Sequence, residues 1–507
     1  MHNHLYDALM AQAKAQPAMP FARTPGKETV SRGRLADGAA RFSGRLQHLG
    51  LQPGDRVMVQ AEKSIAVLQL YLGTLHAGGI FVPLNTAYTA SELAYFIKNA
   101  APKLLVCDPS RRAELTGIAA RACTGIHVET LGKDSRGTLT DGFGAASTLS
   151  AAPVPRGARD IAAILYTSGT TGRPKGAMLS HRALLSNSKT LVAMWCFTPG
   201  DVLIHALPIY HTHGLFVATN VALLSGAALH VLPRFDVDTV LQAMPRATAM
   251  MGVPTFYTRL LADPRLDQGR TANMRLFISG SAPLRAETHR AWEDRTGHRI
   301  LERYGMTETN MNTSNPYDGK RRAGTVGPPL PDVELRILAK DGTPVATGAT
   351  GMIEVRGPNV CSGYWGMPEQ TAQVLRPDGW FITGDLGQCD AEGYITIVGR
   401  AKDLIISGGF NIYPAEVETE IDAIPGVLES AVIGVPHPDF GEGVVAVIVA
   451  DGTAPIKKAH IQAALSERLA GFKHPKKVVF LDTLPRNTMG KVQKAELRQT
   501  YGDLFTT

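Results

Sequence analysis

Short apolar runs alternate with longer, mostly amphipathic stretches along much of the chain. The runs are bounded by glycine, proline or charged residues, which is typical of buried strands. They fall at residues 54–60, 80–83, 103–107, 161–165, 201–207, 229–232, 249–253 and 276–279. Helical periodicity lies between them, at residues 33–51, from residue 65 after the N-cap Ser64, at 215–224 and from 255. This rhythm predicts an α/β fold with doubly wound parallel sheets covered by helices.

The pattern changes in the last third of the chain. Residues 332–355 contain short alternating strands with glycine turns, which predict a small β subdomain. We expect the N-terminal domain to cover residues 1–399 and a small α+β C-terminal domain to cover 400–507. Residues 136–160 are rich in Gly, Ala, Ser, Thr and Pro and are interpreted as a surface connection.

One uncharged stretch, residues 65–84, has the length of a membrane span. Gln69 and His76 interrupt it, and Gly78 and Gly79 divide it into a helix and a short strand. These interruptions favour a core helix over a membrane helix. The first residues lack the basic and apolar regions of a secretory signal, so we expect a cytoplasmic protein.

Composition indicates a large globular protein that acts on small molecules. The chain has 507 residues, is 44% hydrophobic and carries a net charge of +7 without Lys/Arg blocks. This charge pattern favours small anionic substrates over nucleic acid. Five cysteines are scattered without CxxC spacing, as expected for packing residues in a reducing compartment.

The segment Tyr166-Thr-Ser-Gly-Thr-Thr-Gly-Arg-Pro-Lys-Gly176 directly follows a predicted strand. Its glycines let backbone N–H groups turn inward, its hydroxyls donate hydrogen bonds and Lys175 adds positive charge. It therefore predicts a polyphosphate-binding loop at the carboxyl end of a strand, with a flexible polar loop as the alternative. Because Gly176 follows Lys175, it is not the P-loop of the NTPases. The candidate phosphate-binding residues are Thr167, Ser168, Gly169, Thr170, Thr171, Gly172 and Lys175.

Five more segments follow this loop in a recognisable order. They are Pro208-Ile-Tyr-His-Thr-His-Gly214, Tyr304-Gly-Met-Thr-Glu-Thr309, Thr383-Gly-Asp-Leu-Gly387, Gly399-Arg-Ala-Lys-Asp403 and Pro485-Arg-Asn-Thr-Met-Gly-Lys491. Together the six segments resemble the signatures of the adenylate-forming superfamily, which includes acyl-CoA synthetases, carrier-loading adenylation domains and firefly-type luciferases. The resemblance implies activation of a carboxylic acid, with ATP and CoA as cosubstrates and Mg²⁺ as the cofactor.

The resemblance also implies roles for individual residues. Lys491 would neutralise charge as the acid attacks the α-phosphate, Thr307 would hydrogen-bond that phosphate and Glu308 would ligate Mg²⁺. Asp385 and Arg400 would hold the ribose. The adenine pocket would be walled by Gly280, Ser281, Ala282 and Tyr304. A solvated lysine for Lys491, a helix cap for Glu308 and a turn aspartate for Asp385 are the alternative interpretations.

A second half-reaction is implied for the C-terminal domain. The resemblance indicates that this domain rotates about Lys402, withdraws Lys491 and presents Ser407, Gly408 and Gly409 to the pantetheine arm of CoA. A lysine acetyltransferase and a deacetylase acting on Lys491 are candidate protein partners. Neither nucleic acid nor a membrane is expected to be a partner.

Arg303 carries the prediction of acid specificity. It precedes the Tyr304 segment, at the place where the resemblance puts the substrate tail, and its planar guanidinium suits a second carboxylate. The surrounding residues resemble the malonate-activating members of the superfamily, so malonate is the expected acid and methylmalonate a second one. Ser279 and His211 are further candidate acid-binding residues. The alternative is that Arg303 pairs with Glu302 or another acid and leaves the pocket apolar.

Other interpretations remain open at this point. His205, His211 and His213 have a spacing that permits a shared metal ion, although no Cys or carboxylate completes the set. The chain could also activate another short or aryl acid, load an acid onto a carrier protein, or act as a nucleotide-binding regulator without turnover. Retention of Lys175, Glu308, Asp385 and Lys491 argues against the last of these.

Overall fold

The computed structural model describes residues 2–143, 152–167, 174–452, 456–466, 468–487 and 490–505. Within this part of the chain the strands are β1 (Pro20–Arg23), β2 (Val30–Ser31), β3 (Arg56–Gln60), β4 (Ile80–Pro83), β5 (Leu104–Cys107), β6 (His127–Thr130), β7 (Ile161–Thr167), β8 (Lys175–Ser180), β9 (Val202–His205), β10 (Ala228–Val231), β11 (Ala249–Gly252), β12 (Leu276–Ser279), β13 (Leu301–Met306), β14 (Asn310–Ser314), β15 (Glu334–Leu338), β16 (Gly351–Arg356), β17 (Phe381–Cys389), β18 (Ile395–Arg400), β19 (Ile405–Ser407), β20 (Phe410–Ile412), β21 (Val427–His437), β22 (Gly441–Ala450) and β23 (Lys477–Phe480).

The α-helices lie between and beside these strands. They are α1 (His4–Leu9), α2 (Ala11–Ala15), α3 (Arg32–His48), α4 (Ile65–His76), α5 (Ala90–Ala100), α6 (Arg112–Ala122), α7 (Thr138–Asp141), α8 (His181–Met194), α9 (Asn220–Ser225), α10 (Val237–Ala243), α11 (Pro254–Leu261), α12 (Ala286–Thr296), α13 (Pro368–Val374), α14 (Pro414–Asp422), α15 (Lys458–Ser466) and α16 (Lys494–Thr500). A π-helical segment, His213–Thr219, leads directly into α9.

Two compact units make up the chain. The first consists of residues 1–280, 284–334 and 355–381, and the second of residues 281–283, 335–354 and 382–507. The N-terminal unit contains two sheets with strand orders β6-β5-β3-β4-β7-β8 and β14-β13-β12-β11-β9-β10-β1-β2. Their interior strands are parallel, and antiparallel strands lie at the edges, as in doubly wound folds.

The C-terminal unit is mixed α+β. β21 pairs with one edge of β22, and the other edge of β22 pairs with β19 at Gly441 and with the parallel strand β23 at Val445–Ile448, while β20 extends the sheet beyond β19. Apolar residues pack on both faces of this sheet, in one cluster with Val417 and Ile461 and in another with Leu484 and Leu497. The predicted small β subdomain corresponds to a four-stranded sheet in the order β15-β16-β17-β18, most of which belongs to the same unit.

The uncharged stretch is a core helix followed by a strand, as predicted. Ser64 caps α4 by accepting a hydrogen bond from the Val67 N–H, and ten of the twelve residues of α4 are buried. Gly78 adopts a φ of 76° directly before β4. Among the described residues, no helix is long and apolar enough to cross a membrane.

Candidate active site

The segment predicted to bind phosphate joins the two strands of a hairpin. β7 ends at Thr167, and β8 begins at Lys175, its register partner. The start of the segment therefore lies at the carboxyl end of a strand that is parallel to β4. The prediction of a loop was wrong at its last residues, because Lys175 and Gly176 are part of β8. Ser168, Gly169, Thr170, Thr171 and Gly172 lie outside the described residues, so their role stays a prediction.

Glu308 lies in the turn between β13 and β14, whose antiparallel register pairs Met306 with Asn310. The helix-cap interpretation is therefore wrong, because this turn joins two strands. The carboxylate is only 6% exposed and lies against the phosphate-loop hairpin. Its Oε1 accepts a hydrogen bond of 3.0 Å from the Tyr364 hydroxyl and lies 3.4 Å from Thr167 Oγ1. Thr307 precedes it in the same turn.

Tyr364 links two predicted phosphate-site residues. Its hydroxyl contacts Glu308, and the Lys175 ammonium lies 5.1 Å from the centre of its ring. A cation over an aromatic face is attracted by the ring quadrupole. The sequence interpretation missed Tyr364, because nothing in the segment Ser362-Gly-Tyr-Trp365 marks its tyrosine as a phosphate-site residue.

Ser279 is the last residue of β12, and Arg303 lies on the neighbouring strand β13, one residue after Glu302, the register partner of Ser279. Arg303 is 3% exposed, and its Nε and Nη2 have no hydrogen-bond partner in the described part of the chain. The Ser279 hydroxyl is likewise buried without a partner there. A Cβ on Gly280 would lie 2.4 Å from Arg303 Cζ, so a side chain at this position would displace the guanidinium from its present place. Gly280, assigned to the adenine wall, thus also shapes the space around the arginine.

The alternative of an Arg303–Glu302 pair is wrong. Adjacent strand residues point to opposite faces, and the Glu302 carboxylate accepts instead from the Gly324 N–H at 3.3 Å. Burial raises the pKa of Glu302 to about 8. Burial also lowers the pKa of Arg303 to about 9, so the guanidinium is still charged at neutral pH. Within the described residues, no carboxylate forms an ion pair with it.

His213 borders this buried charge, and His211 lies next to His213. Burial, followed by repulsion from Arg303 and His211, lowers the pKa of His213 well below its ordinary value. The His213 backbone N–H lies 3.5 Å from His211 Nδ1. His213 is therefore neutral at physiological pH, and Arg303 supplies the positive charge. Among the described residues, no cluster of three or more His, Cys, Asp or Glu could hold a metal ion.

The buried Asp385 and the half-buried Arg400 form an ion pair in the C-terminal unit. They are register partners on β17 and β18, and Arg400 Nε lies 2.7 Å from Asp385 Oδ1. The turn interpretation of Asp385 is wrong, because the residue lies within β17 and is 4% exposed. Arg400 Nη1 also donates to the Thr383 carbonyl at 3.2 Å, and this second contact fixes the orientation of the guanidinium. Ser281 and Ala282, the remaining adenine candidates, follow β12 directly, and Tyr304 follows Arg303 on β13.

The backbone of Lys491 is hydrogen-bonded to that of Asn487 in the C-terminal unit. Its N–H donates to Asn487 Oδ1 at 2.9 Å, and Gly490 before it has a φ of 75°. The residue as a whole is exposed, but its ammonium is desolvated. This desolvation and then repulsion from Arg400 lower the pKa of Lys491, whereas Asp385 opposes the shift. Lys491 therefore lies close to the Asp385–Arg400 pair.

The cations that follow Lys491 have structural partners. Lys494 lies 2.5 Å from Glu418, and Arg498 lies 2.7 Å from Asp403. Lys491 itself forms no such ion pair within the described residues. These ion pairs show that Lys494 and Arg498 are not freely solvated.

The candidate CoA loop is a two-residue hairpin between β19 and β20. Gly408 and Gly409 have φ values of 58° and 81°, a conformation that glycine adopts without strain. Ser407 is buried, whereas Phe410 is 54% exposed. Lys402 lies in the single 3-10 turn Ala401–Asp403 that precedes this hairpin.

The chain is similar in sequence and fold to proteins of known family. Residues 9–365 match the AMP-binding enzyme family, and residues 416–491 match the AMP-binding enzyme C-terminal domain. A feruloyl-CoA synthase of Amycolatopsis is 36% identical over 94% of this chain and 95% of its own length. A malonate–CoA ligase of Arabidopsis thaliana is 34% identical over 90% of this chain and 79% of its own. The crystal structure of ATP-bound MatB from Rhodopseudomonas palustris has a TM-score of 0.96 and 58% identity, with full coverage of both chains.

Proposed function

The chain belongs to the family of AMP-binding enzymes, and on that premise we propose that it joins malonate to coenzyme A at the expense of ATP. AMP and pyrophosphate are the other products, and methylmalonate is a second substrate. The 58% identity to ATP-bound MatB and the similarity to a malonate–CoA ligase support this proposal.

The observation that carries the choice of acid is the buried guanidinium of Arg303. A charge held away from water without a partner is costly, so a site that keeps one is built for an anionic ligand. Two guanidinium nitrogens, Nε and Nη2, lack partners among the described residues, and Ser279 offers a hydroxyl nearby. A bidentate carboxylate satisfies both nitrogens. Feruloyl and other aryl acids have uncharged tails and would leave the charge unpaired.

In the first half-reaction, one carboxylate oxygen of malonate attacks the α-phosphorus of ATP. The bond from that phosphorus to the bridging oxygen breaks, and pyrophosphate leaves, so malonyl-adenylate forms without a protein nucleophile. Lys491 supplies positive charge to the α-phosphate as negative charge accumulates in the transition state. Thr307 donates a hydrogen bond to the same phosphate, and Lys175 contacts the outer phosphates.

Glu308 is the residue that would hold Mg²⁺. A single buried carboxylate beside a phosphate loop suits this ion, which usually takes one or two protein carboxylates and completes its shell with water and phosphate oxygens. When bound, Mg²⁺ offsets the charge of the departing pyrophosphate. Tyr364 and Thr167 orient the Glu308 carboxylate from the protein side.

In the second half-reaction, the CoA thiol loses its proton, its sulfur attacks the malonyl carbonyl carbon, and AMP leaves. We assign residues 400–507 to a C-terminal domain that rotates about Lys402 between the two steps. This rotation would withdraw Lys491 and bring the Ser407–Gly409 turn to the pantetheine arm. Asp385 and Arg400, with Tyr304, Gly280, Ser281 and Ala282, would retain the ribose and adenine of the nucleotide.

Cellular context follows from the same chemistry. ATP and CoA are available in the cytoplasm, and all five cysteines are free, as in proteins of reducing compartments. Acetylation of Lys491 by a lysine acetyltransferase would remove the charge that adenylate formation needs, and a deacetylase would restore it.

The test of this function is product stoichiometry. Purified protein with malonate, MgATP and CoA should yield malonyl-CoA, AMP and pyrophosphate in equal amounts by mass spectrometry and coupled assay. Without CoA, malonate should support exchange of labelled pyrophosphate into ATP. Release of ADP and phosphate, or exchange that does not depend on an acid, would contradict the adenylate route.

A further inference from the structure

Lys63 connects the two large sheets at a position outside all six sequence motifs. It lies between β3 and α4 on the six-stranded sheet, and its ammonium reaches the carboxyl end of β9 on the eight-stranded sheet. Nζ donates to the carbonyls of His205 at 2.7 Å and Leu207 at 2.8 Å, and it lies 2.9 Å from His205 Nδ1. Three contacts from one ammonium fix the direction in which the chain leaves β9.

These contacts also determine the tautomer of His205. Burial lowers the pKa of His205 well below its ordinary value, so the ring is neutral, and because the carbonyl beside Nε2 can only accept, the ring proton lies on Nε2 and Nδ1 accepts from Lys63. Nε2 then donates to the Gly214 carbonyl at 2.9 Å. The Thr219 hydroxyl donates to the same carbonyl at 3.0 Å. Lys63 thus acts through His205 on the start of the π-helical segment His213–Thr219.

The segment held in this way, residues 205–214, borders the predicted acid site. It carries His211 and His213, and repulsion from Arg303 contributes to the lowered pKa of His213. Like Arg303, Lys63 has no carboxylate partner within the described residues. Burial lowers the pKa of Lys63 well below its ordinary value, but its three acceptors together need all three protons of an ammonium, so these hydrogen bonds are what Lys63 supplies to residues 205–214.

We propose that Lys63 is a positioning residue of the acid site, which sets the path of residues 205–214 and thereby places His213 beside Arg303. This inference rests on the proposed acid activation but not on the identity of the acid. It requires no contact between Lys63 and the substrate. Replacing Lys63 should weaken acid binding and not ATP binding. The predicted phosphate residues Thr167, Lys175 and Glu308 lie on other strands and turns.

The experiment compares Lys63→Met, Lys63→Gln and Lys63→Arg with the unchanged enzyme and with Lys98→Met, an exposed lysine on α5. Malonate and ATP are each varied at saturating concentration of the other. We expect Lys63→Met to raise the KM for malonate about tenfold or more, as for loss of hydrogen bonds from a charged donor. The KM for ATP should change less than about twofold, and Lys63→Arg should recover part of the malonate affinity. Lys98→Met should match the unchanged enzyme.

Two outcomes would overturn the inference. One is an unchanged KM for malonate in a folded Lys63→Met or Lys63→Gln enzyme. The other is an equal loss for malonate and ATP that Lys63→Arg does not relieve, which indicates general stabilisation only. If Lys63→Met does not fold, the Lys63→Gln and Lys63→Arg enzymes decide by the same comparison. Failure of the proposed function is distinct, since the unchanged enzyme would then not turn over malonate at all.

Discussion

Replacing Arg303 tests the proposed recognition of the second carboxylate. Arg303→Ala, and the better volume match Arg303→Met, would leave the distal carboxylate of malonate buried without a partner. Breaking a buried charge pair by removing one member costs about 3–5 kcal/mol. At about 1.4 kcal/mol per factor of ten, kcat/KM for malonate should fall roughly 100-fold to several thousand-fold. Propionate has no distal carboxylate, so its kcat/KM should change less than about threefold.

The assay is AMP release with each acid varied at saturating MgATP and CoA. Arg275→Met is the matched control, because Arg275 is ion-paired with Asp201 at 2.7 Å on another part of the same sheet. Arg275→Met should lower the free energy of unfolding without changing the ratio of kcat/KM for malonate to kcat/KM for propionate. Arg303→Met, by contrast, removes a buried charge that has no described partner and should leave the free energy of unfolding unchanged or raise it by about 1 kcal/mol. Equal losses on malonate and propionate would refute the reasoning.

Three further predictions follow from the site. Lys491→Ala should abolish malonate-dependent pyrophosphate exchange, but the variant should still convert supplied malonyl-adenylate to malonyl-CoA. Equal loss of both steps would argue against rotation of the C-terminal domain between the two half-reactions. Tyr364→Phe keeps the ring but loses the hydrogen bond to Glu308, so the Mg²⁺ concentration for half-maximal ATP binding in calorimetry should rise several-fold, whereas Tyr166→Phe should not change it. The carboxyl of Glu302 has a pKa of about 8, raised by burial from 4.5. The folded state therefore binds the extra proton, the free energy of unfolding should fall as pH rises from about 5 to 8, and Glu302→Gln should flatten this dependence in urea titrations.

Much of the fold could be predicted because local signals agreed with burial. The strand Ile80–Pro83 and the strand Leu276–Ser279 lie where the apolar runs placed them, and Ser64 caps α4 as expected. Strands that carry glycine and polar residues were missed. Asp385 was interpreted as a possible turn residue because Gly384 precedes it, but pairing with Arg400 on the next strand keeps it extended.

The sequence predicted the residues of the site only where they belong to a recognisable motif. The proximity of Thr167 and Glu308 follows from two motifs, whereas the hydroxyl of Tyr364 reaches Glu308 across 56 residues and Lys63 reaches His205 across 142. Such contacts depend on which sheets the chain brings together, and nothing near these residues in the sequence encodes that. The absence of an acidic partner for Arg303 among the described residues is likewise a property of the packed fold, in which Glu302 points to the opposite face.

The most direct measurement of the central claim is the acid preference of the unchanged enzyme. AMP release with MgATP and CoA should be compared for malonate, methylmalonate, succinate, acetate, propionate, octanoate, 4-coumarate and ferulate. We expect the highest kcat/KM for malonate, with methylmalonate next and the monocarboxylates at least about 100-fold lower, in line with the cost of an unpaired buried charge. A preference for propionate, octanoate or an aryl acid would contradict the proposed role of Arg303. It would still be compatible with activation of a carboxylic acid by ATP and CoA.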